Sequence, residues 1–287
     1  MVAVRKFAGT AADADEKEAL AAALGIAGVE SEADLFQNPQ FQKVLKQFAP
    51  RCSDKEWLKT LFKPFGPIDA IEPISNQNEA DVLDQWQNVA GRCKFCPIPF
   101  QLIDFASDPH SVLNNFNWLD RLKQGYRTFA VFINTINRKQ LKQCKEGESC
   151  GLHWMTVFFD FRPLDNCGND GPVDWKRMET APYPFTKACT VEFFNSSGNA
   201  PVSALRLYFK QLQLSFASNL PGINLWVVNA SLFQQQFDES SCGIYCLYYI
   251  YHRLKSVPYT WFLITHVTTE EIHWFRRFVF LPEPSKS

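Results

Sequence analysis

The chain has 287 residues, and its 30 acidic side chains nearly cancel 29 Lys and Arg to leave a formal net charge of -1. That balance gives no bulk attraction to nucleic acid or to an anionic membrane, so neither is expected as a main partner. With 46% hydrophobic residues, 26 Phe and 8 Trp, the composition is that of a globular protein able to bury a substantial core.

The opening MVAVRKFAGTAADADEKEAL has no apolar core of signal-peptide length, and no later segment approaches the ~18–20 apolar residues of a membrane span. A soluble protein made in the cytosol is expected. The first eighty or so residues read as helices. ADEKEALAAALGIAG ends in glycine, as a helix C-cap does, and Ser53-Asp54-Lys55-Glu56 forms a capping box ahead of WLKTLF. FGPIDAIEPISNQNEAD, with two prolines and several turn formers, reads as a connector. The division expected is a small all-helical N-terminal domain with its linker over residues 1–82 and a second domain over 83–287.

From about residue 83 the pattern changes to aromatic and β-branched segments: TFAVFINT (128–135), HWMTVFFDF (153–161), TVEFFN (190–195) and LWVVNA (225–230). Between the last two, Leu205, Tyr208, Leu212 and Phe216 mark an amphipathic helix introduced by Pro201. A helix from Cys242 to about Leu254 carries apolar or aromatic residues on nearly every side and should be buried all round. Thr268 and Glu271 make another capping box ahead of IHWFRRFVF. This order predicts an α+β domain whose central sheet packs on the Cys242 helix.

Nine cysteines, an odd number, do not suggest a small secreted disulfide scaffold. Cys93 and Cys96 form a CxxC, but Cys144 and Cys150 have the wrong spacing for a zinc ribbon and no histidine stands in register. Buried or incidental thiols are the expectation, with no metal and no cofactor. Cys242 differs, because a thiol in the first turn of a helix meets unpaired N–H groups and the positive end of the dipole, which favour thiolate.

A nucleophile needs a base, and there are five histidines. His252 lies almost three turns beyond Cys242 on the same helix, too far to serve. His153 opens a strand, where a sheet end presents it to a cleft. Asn195 closes the next strand before a turn; if the two strands pair, its amide oxygen accepts from one ring nitrogen and leaves the other for the thiol. Gln236, six residues before Cys242, supplies an N–H₂ that with the backbone N–H of Cys242 could form an oxyanion hole. The alternative is a polar loop, and Gln234 and Gln235 compete for the role.

Taken together, His153-Trp154, the Asn195 turn, Gln236 and Cys242-Gly243, in that order, resemble the signature of the SUMO-specific protease-like clan of cysteine proteases. HWMTVFFDFR, VEFFNSSGNAP, SCGIYCLYYIYHRL, CPIPFQLIDF and TTEEIHWFRRFVF are most similar to the polyprotein-processing proteases of African swine fever virus and related large DNA viruses. The likeness spans roughly residues 83–281; residues 163–188 look like an insertion. It implies a papain-like, SUMO-protease-like fold with a mixed sheet, and a viral cysteine endopeptidase that cleaves structural polyproteins after Gly-Gly during virion maturation, in the host cytoplasm and the virion. Catalysis then falls to Cys242, His153, Asn195 and Gln236. Trp154 is either a wall of the tunnel admitting the two glycines or a core residue. A SUMO or ubiquitin-like deconjugase, and a non-catalytic binding module on a protease fold, are the alternatives.

Overall fold

The computed structural model describes residues 64–69, 72–87, 94–144, 153–165 and 187–280, with position 39 standing alone. The expected N-terminal helices, the Ser53 capping box and most of the 163–188 insertion lie outside the described residues.

Five strands make one mixed sheet in the order β1-β2-β3-β4-β5: β1 (Lys94–Leu102), β2 (Tyr126–Asn134), β3 (Trp154–Asp160), β4 (Lys187–Phe194) and β5 (Ile223–Asn229). The two outer pairs are parallel, and β3 runs antiparallel to β2 and β4. The strand segments around 128–135, 153–161, 190–195 and 225–230 are therefore found, each within a few residues. β1 carries no strand signal strong enough to read, because Pro97 and Pro99 interrupt it. It tolerates both prolines as an edge strand, with an irregularity in its pairing between Ile98 and Gln101.

Alternation along the strands gives the sheet two apolar faces. Phe132, Phe158 and Phe194 point toward α5 (Cys242–Leu254), while Val131, Val157 and Phe193 point to the opposite face. That opposite face is covered by α4 (Ser203–Asn219), whose Leu205, Tyr208, Phe209, Leu212 and Phe216 are buried at three-and-four spacing. The remaining helices are α1 (Asn76–Gln87), α2 (Trp118–Lys123), α3 (Arg138–Gln143), α6 (Tyr259–Phe262) and α7 (Thr269–Val279). No helix among the described residues is long and apolar enough to cross a membrane.

α5 holds the fold together. Every residue from Cys242 to Ile250 is buried, and full burial of each large apolar side chain contributes about 1.5–3 kcal/mol. The helix runs alongside β3 in the same direction, with Cys246 donating to the Trp154 carbonyl (3.5 Å) near its start and Arg253 reaching Asp160 (2.8 Å) near its end. It stops at Lys255 because Ser256 takes a left-handed φ of 65°, so Ser256 N–H returns to the Arg253 carbonyl and Val257 N–H to His252. That reverse hydrogen-bond pair is a Schellman ending, with Pro258 just beyond to prevent continuation. The capping box at Thr268 and Glu271 opens α7 as expected.

One reading changes. NQNEAD, taken as connector, begins α1, because Ser75 and Asn78 exchange hydrogen bonds that start the helix. Val82, Leu83 and Trp86 of α1, with Ile74 before it, share the apolar cluster of α5. The sheet domain's core thus draws on residues ahead of position 83, and the proposed 82/83 boundary falls inside α1.

Candidate active site

Two strand ends and one helix start converge. Trp154 begins β3, Phe194 ends β4 beside it, and Cys242 begins α5 beneath both. The backbone of His153 is fixed from the other side, where its carbonyl accepts from Thr135 N–H at 3.0 Å. Its Nε2 lies 2.7 Å from Asn195 Oδ1. That oxygen also accepts from the backbone N–H (3.1 Å) and hydroxyl (2.8 Å) of Ser197, while the Asn195 NH₂ donates to the Asn199 carbonyl at 3.2 Å. A backbone N–H can only donate, so the amide orientation is determined by its neighbours. His153 Nε2 must then carry the hydrogen, which leaves Nδ1 as a proton acceptor.

Asn195 itself is buried, with its N–H donating to the Ser231 hydroxyl. The turn it opens requires glycine at 198, where φ is 76° and a Cβ would stand 2.6 Å from the backbone at Phe233 and Gln234. Through this contact the 231–241 loop is suspended from the Asn195 turn, since both Gln235 and Gln236 N–H donate to the Ser196 carbonyl (2.8 and 3.0 Å).

The three glutamines then separate. Gln235 turns away from the strand ends, binding the Thr265 carbonyl (2.9 Å) and accepting from Val267 N–H (2.8 Å). Gln234 donates to the Gln236 carbonyl at 2.7 Å. Gln236 alone faces the Asn195 turn, with Oε1 accepting from the Ser196 hydroxyl (2.7 Å) and Nε2 donating to the Asp238 carbonyl (2.6 Å). One amide hydrogen is thereby used, and the other has only the long contact to Asp238 Oδ1 at 3.5 Å, which a better acceptor can replace.

Asp238 shapes the final turn, its Oδ1 accepting from Ser240 and Ser241 N–H at 2.8 and 2.7 Å. This aspartate turn delivers the chain to Cys242. The thiol receives hydrogen bonds from the backbone N–H groups of Trp154 and Gly243, so the residue after His153 touches the sulfur directly. The expectation of a lowered thiol pKa is not met. Burial pushes Cys242 up, the two N–H groups pull it down, and Glu79 and Asp238 push it up again. In a residue only 5% exposed, the thiolate loses more solvation than the helix start returns.

Gly243 has a different reason from the close substrate approach that a glycine after a nucleophile suggests. A Cβ there would come within 2.4 Å of Ile74 Cγ1 and 3.4 Å of Glu79 Oε1, so glycine makes room for the segment leading into α1. Trp154 lies in the apolar cluster of α5, edge-on to Phe132 (6.1 Å) and to the more exposed Phe100 (5.9 Å) of β1. Its ring is mainly core, 8% exposed.

Sequence reasoning missed Glu79, Ser196 and Arg276. Arg276 of α7 is fully buried and donates to the Pro67 and Glu72 carbonyls (3.1 and 2.6 Å), with Ser240 O at 3.5 Å. Its place on the apolar side of α7, one residue after Phe275, was the only signal. Among the other cysteines, Cys96 is a buried thiol whose pKa burial raises. Cys144 is disulfide-bonded, against the expectation of a thiol; Cys93 and Cys150 lie outside the described residues. Among the described residues no group of three or more His, Cys, Asp and Glu could hold a metal ion.

No protein-family model matches the chain. It is 25% identical over 263 residues, 88% of this chain and 83% of the relative, to the SUMO-1 cysteine protease of African swine fever virus from a Kenyan pig isolate. The identity and coverage are the same for the cysteine protease of a Malawian tick isolate of that virus. A crystal structure of the African swine fever virus protease superposes with a TM-score of 0.61 at 21% identity, covering 94% of this chain and 91% of that one. The α+β fold read from sequence is thus shared with a solved protease, and the chain is a cysteine protease homologous to these viral enzymes.

Proposed function

We propose that this cysteine protease is a viral endopeptidase that matures structural polyproteins by cutting after Gly-Gly, with Cys242 as nucleophile and His153 as its acid and base. The supporting observation is the Asn195 Oδ1 to His153 Nε2 contact of 2.7 Å, with Trp154 N–H on the Cys242 sulfur. In this reading the thiol proton passes to His153 Nδ1 and the thiolate attacks the scissile carbonyl. The tetrahedral oxyanion takes hydrogen bonds from the backbone N–H of Cys242 and the spare hydrogen of Gln236 Nε2. Imidazolium then protonates the leaving amine, giving a thioester and a neutral imidazole. That imidazole removes a proton from water, whose oxygen displaces the thiolate and frees the acid. Asn195 holds the ring in the tautomer that each step needs.

In this reading the two glycines pass beside the Phe100 and Trp154 rings, and having no side chains they need the least room there. The workplace that suits such an enzyme is the host cytoplasm at assembly sites and the virion itself. A SUMO or ubiquitin-like conjugate is the second substrate class, favoured by the SUMO-1 name of the relatives. The test is cleavage of Gly-Gly-Xaa peptides, a viral polyprotein fragment and a SUMO conjugate by wild type and Cys242→Ala, read by mass spectrometry. Cysteine-dependent cutting after Gly-Gly with peptides preferred is the expected result. Faster hydrolysis of the conjugate transfers the assignment to deconjugation, and absence of cysteine-dependent cutting overturns both.

A further inference from the structure

The first turn of α5 has a neighbour that the catalytic constellation does not use. Glu79, in the first turn of α1, is 2% exposed, and neither carboxyl oxygen has a hydrogen-bond partner. A carboxyl in that state is costly when charged, because nothing replaces the water it has lost. Its Oε1 would stand 3.4 Å from a Cβ on Gly243, the residue next to the nucleophile. Burial holds its pKa well above the ordinary carboxylate range, and its charge acts on both Cys242 and Cys246.

We propose that Glu79 is a positioning residue that acts through Cys242: sealed against the start of α5 without a partner, its carboxyl and the thiol compete to hold a single negative charge. Two adjacent acids in one dry space do not both ionise, and the loss of one proton opposes the loss of the other. A neutral Glu79 permits the thiolate, and an ionised Glu79 returns the thiol to its protonated form. The other titratable groups that act on the sulfur are Asp238 in the preceding turn, Cys246 one turn along α5 and Arg276 on α7, while His153 at the start of β3 is held by Asn195. Of the two carboxyl groups, Asp238 is engaged by the Ser240 and Ser241 N–H groups while Glu79 accepts from nothing, so Glu79 is the acid left to exchange its proton against the thiol.

This inference rests on Cys242 being the nucleophile but not on any substrate, so its test uses no protease assay. The rate of Cys242 alkylation by iodoacetamide, located by mass spectrometry, is measured against pH for wild type, Glu79→Gln and Ile74→Val. Glu79→Gln keeps the shape and cannot ionise; its alkylation midpoint should fall by about one pH unit, with about tenfold faster labelling below the midpoint. Ile74→Val, which trims the other group packed on Gly243, should leave the midpoint in place. Equal midpoints in wild type and Glu79→Gln, or an equal shift in Ile74→Val, overturn the proposal. Should Glu79→Gln not fold, difference infrared spectra of wild type and Cys242→Ser give the reciprocal reading. Removing the thiol should move the titration of the buried carboxylic acid to lower pH, and an unmoved band overturns the proposal.

Discussion

The two ends of α5 treat buried charge in opposite ways. At the C-terminal end, Arg253 Nε donates to Glu192 Oε2 (2.6 Å) while its Nη2 reaches Glu192 Oε1 and Asp160 Oδ2, both at 2.8 Å. Thr190 and Tyr249 hydroxyls donate to the same Glu192 (2.6 and 2.7 Å), and Arg162 donates to Asp160 at 2.8 Å. Every charge there has its counter-charge. At the N-terminal end, Glu79 has no partner, Asp238 Oδ2 has none, and Arg276 Nε has none. The satisfied end fixes where the helix lies, and the unsatisfied end retains groups whose protonation can still change. Function sits where the polar groups are incompletely paired.

The comparison can be broken by exchanging the behaviour of the two ends. Cys242→Ala should abolish turnover with little change in thermal unfolding; peptide cleavage beside a melting curve checks both, and residual cleavage would sink the nucleophile assignment. Arg253→Met should cost about 3–5 kcal/mol in denaturant unfolding, because it strands Glu192 in the core. If the folded fraction of that variant also loses its kcat, the two ends are not independent. Gln236→Ala is expected to lower kcat by ~10²–10³ with KM nearly unchanged, the signature of a donor engaged in the transition state. Asn195→Ala should fall short of the ~10²–10⁴-fold of the acid–base step it supports, since nucleophile and base remain; loss of folding would instead make it a structural residue.

The smallest effect sharpens the contrast through pH. Burial alone would raise Asp160, but Arg162 and Arg253 outweigh it and hold the carboxyl below its ordinary value. A depressed folded pKa contributes stability that is present above the unfolded value of ~3.9 and lost as pH falls through the folded one. Glu79 has the opposite sign. Its raised folded pKa favours folding below the unfolded value of ~4.3, and that contribution is lost as pH rises toward the folded one. Chemical denaturation from pH 3 to 8 should therefore show the acid limb flattened in Asp160→Asn and the decline above about pH 4.3 flattened in Glu79→Gln. Unchanged limbs in either variant would show that the charge at that end is not coupled to folding.

How much of this was legible in the sequence follows from the range of the interactions. The strands β2 to β5, the limits of α5 and the capping box of α7 depend on periodicity and turn chemistry within a few residues, and the sequence displays them. β1 was hidden because prolines at an edge look like a break, and α1 because Asn and Gln next to Pro73 look like a turn. Order and residue type suggested Cys242, His153, Asn195 and Gln236 as candidates; of these the structure pairs His153 with Asn195 and brings Asn195 and Gln236 to one turn through Ser196 and Gly198. The state of the thiol was not readable. It depends first on burial and then on groups as remote as Glu79, more than 160 positions away in the chain, and no local pattern records that a carboxyl will face a helix start. The packing reason for glycine at 243 was hidden in the same way, as its neighbour Ile74 is equally remote.

Arg276 sets a condition on when the site can exist. Its guanidinium joins the carbonyls of Pro67 and Glu72 to the turn that delivers Cys242, and Gly243 waits for Ile74 to close over it. A ribosome adds Arg276 after Cys242, so a nascent chain already containing the thiol still lacks the arginine that draws these segments together. The turn that presents the thiol is therefore completed only once α7 has been made and docked, so order of synthesis separates the making of Cys242 from the fixing of its position.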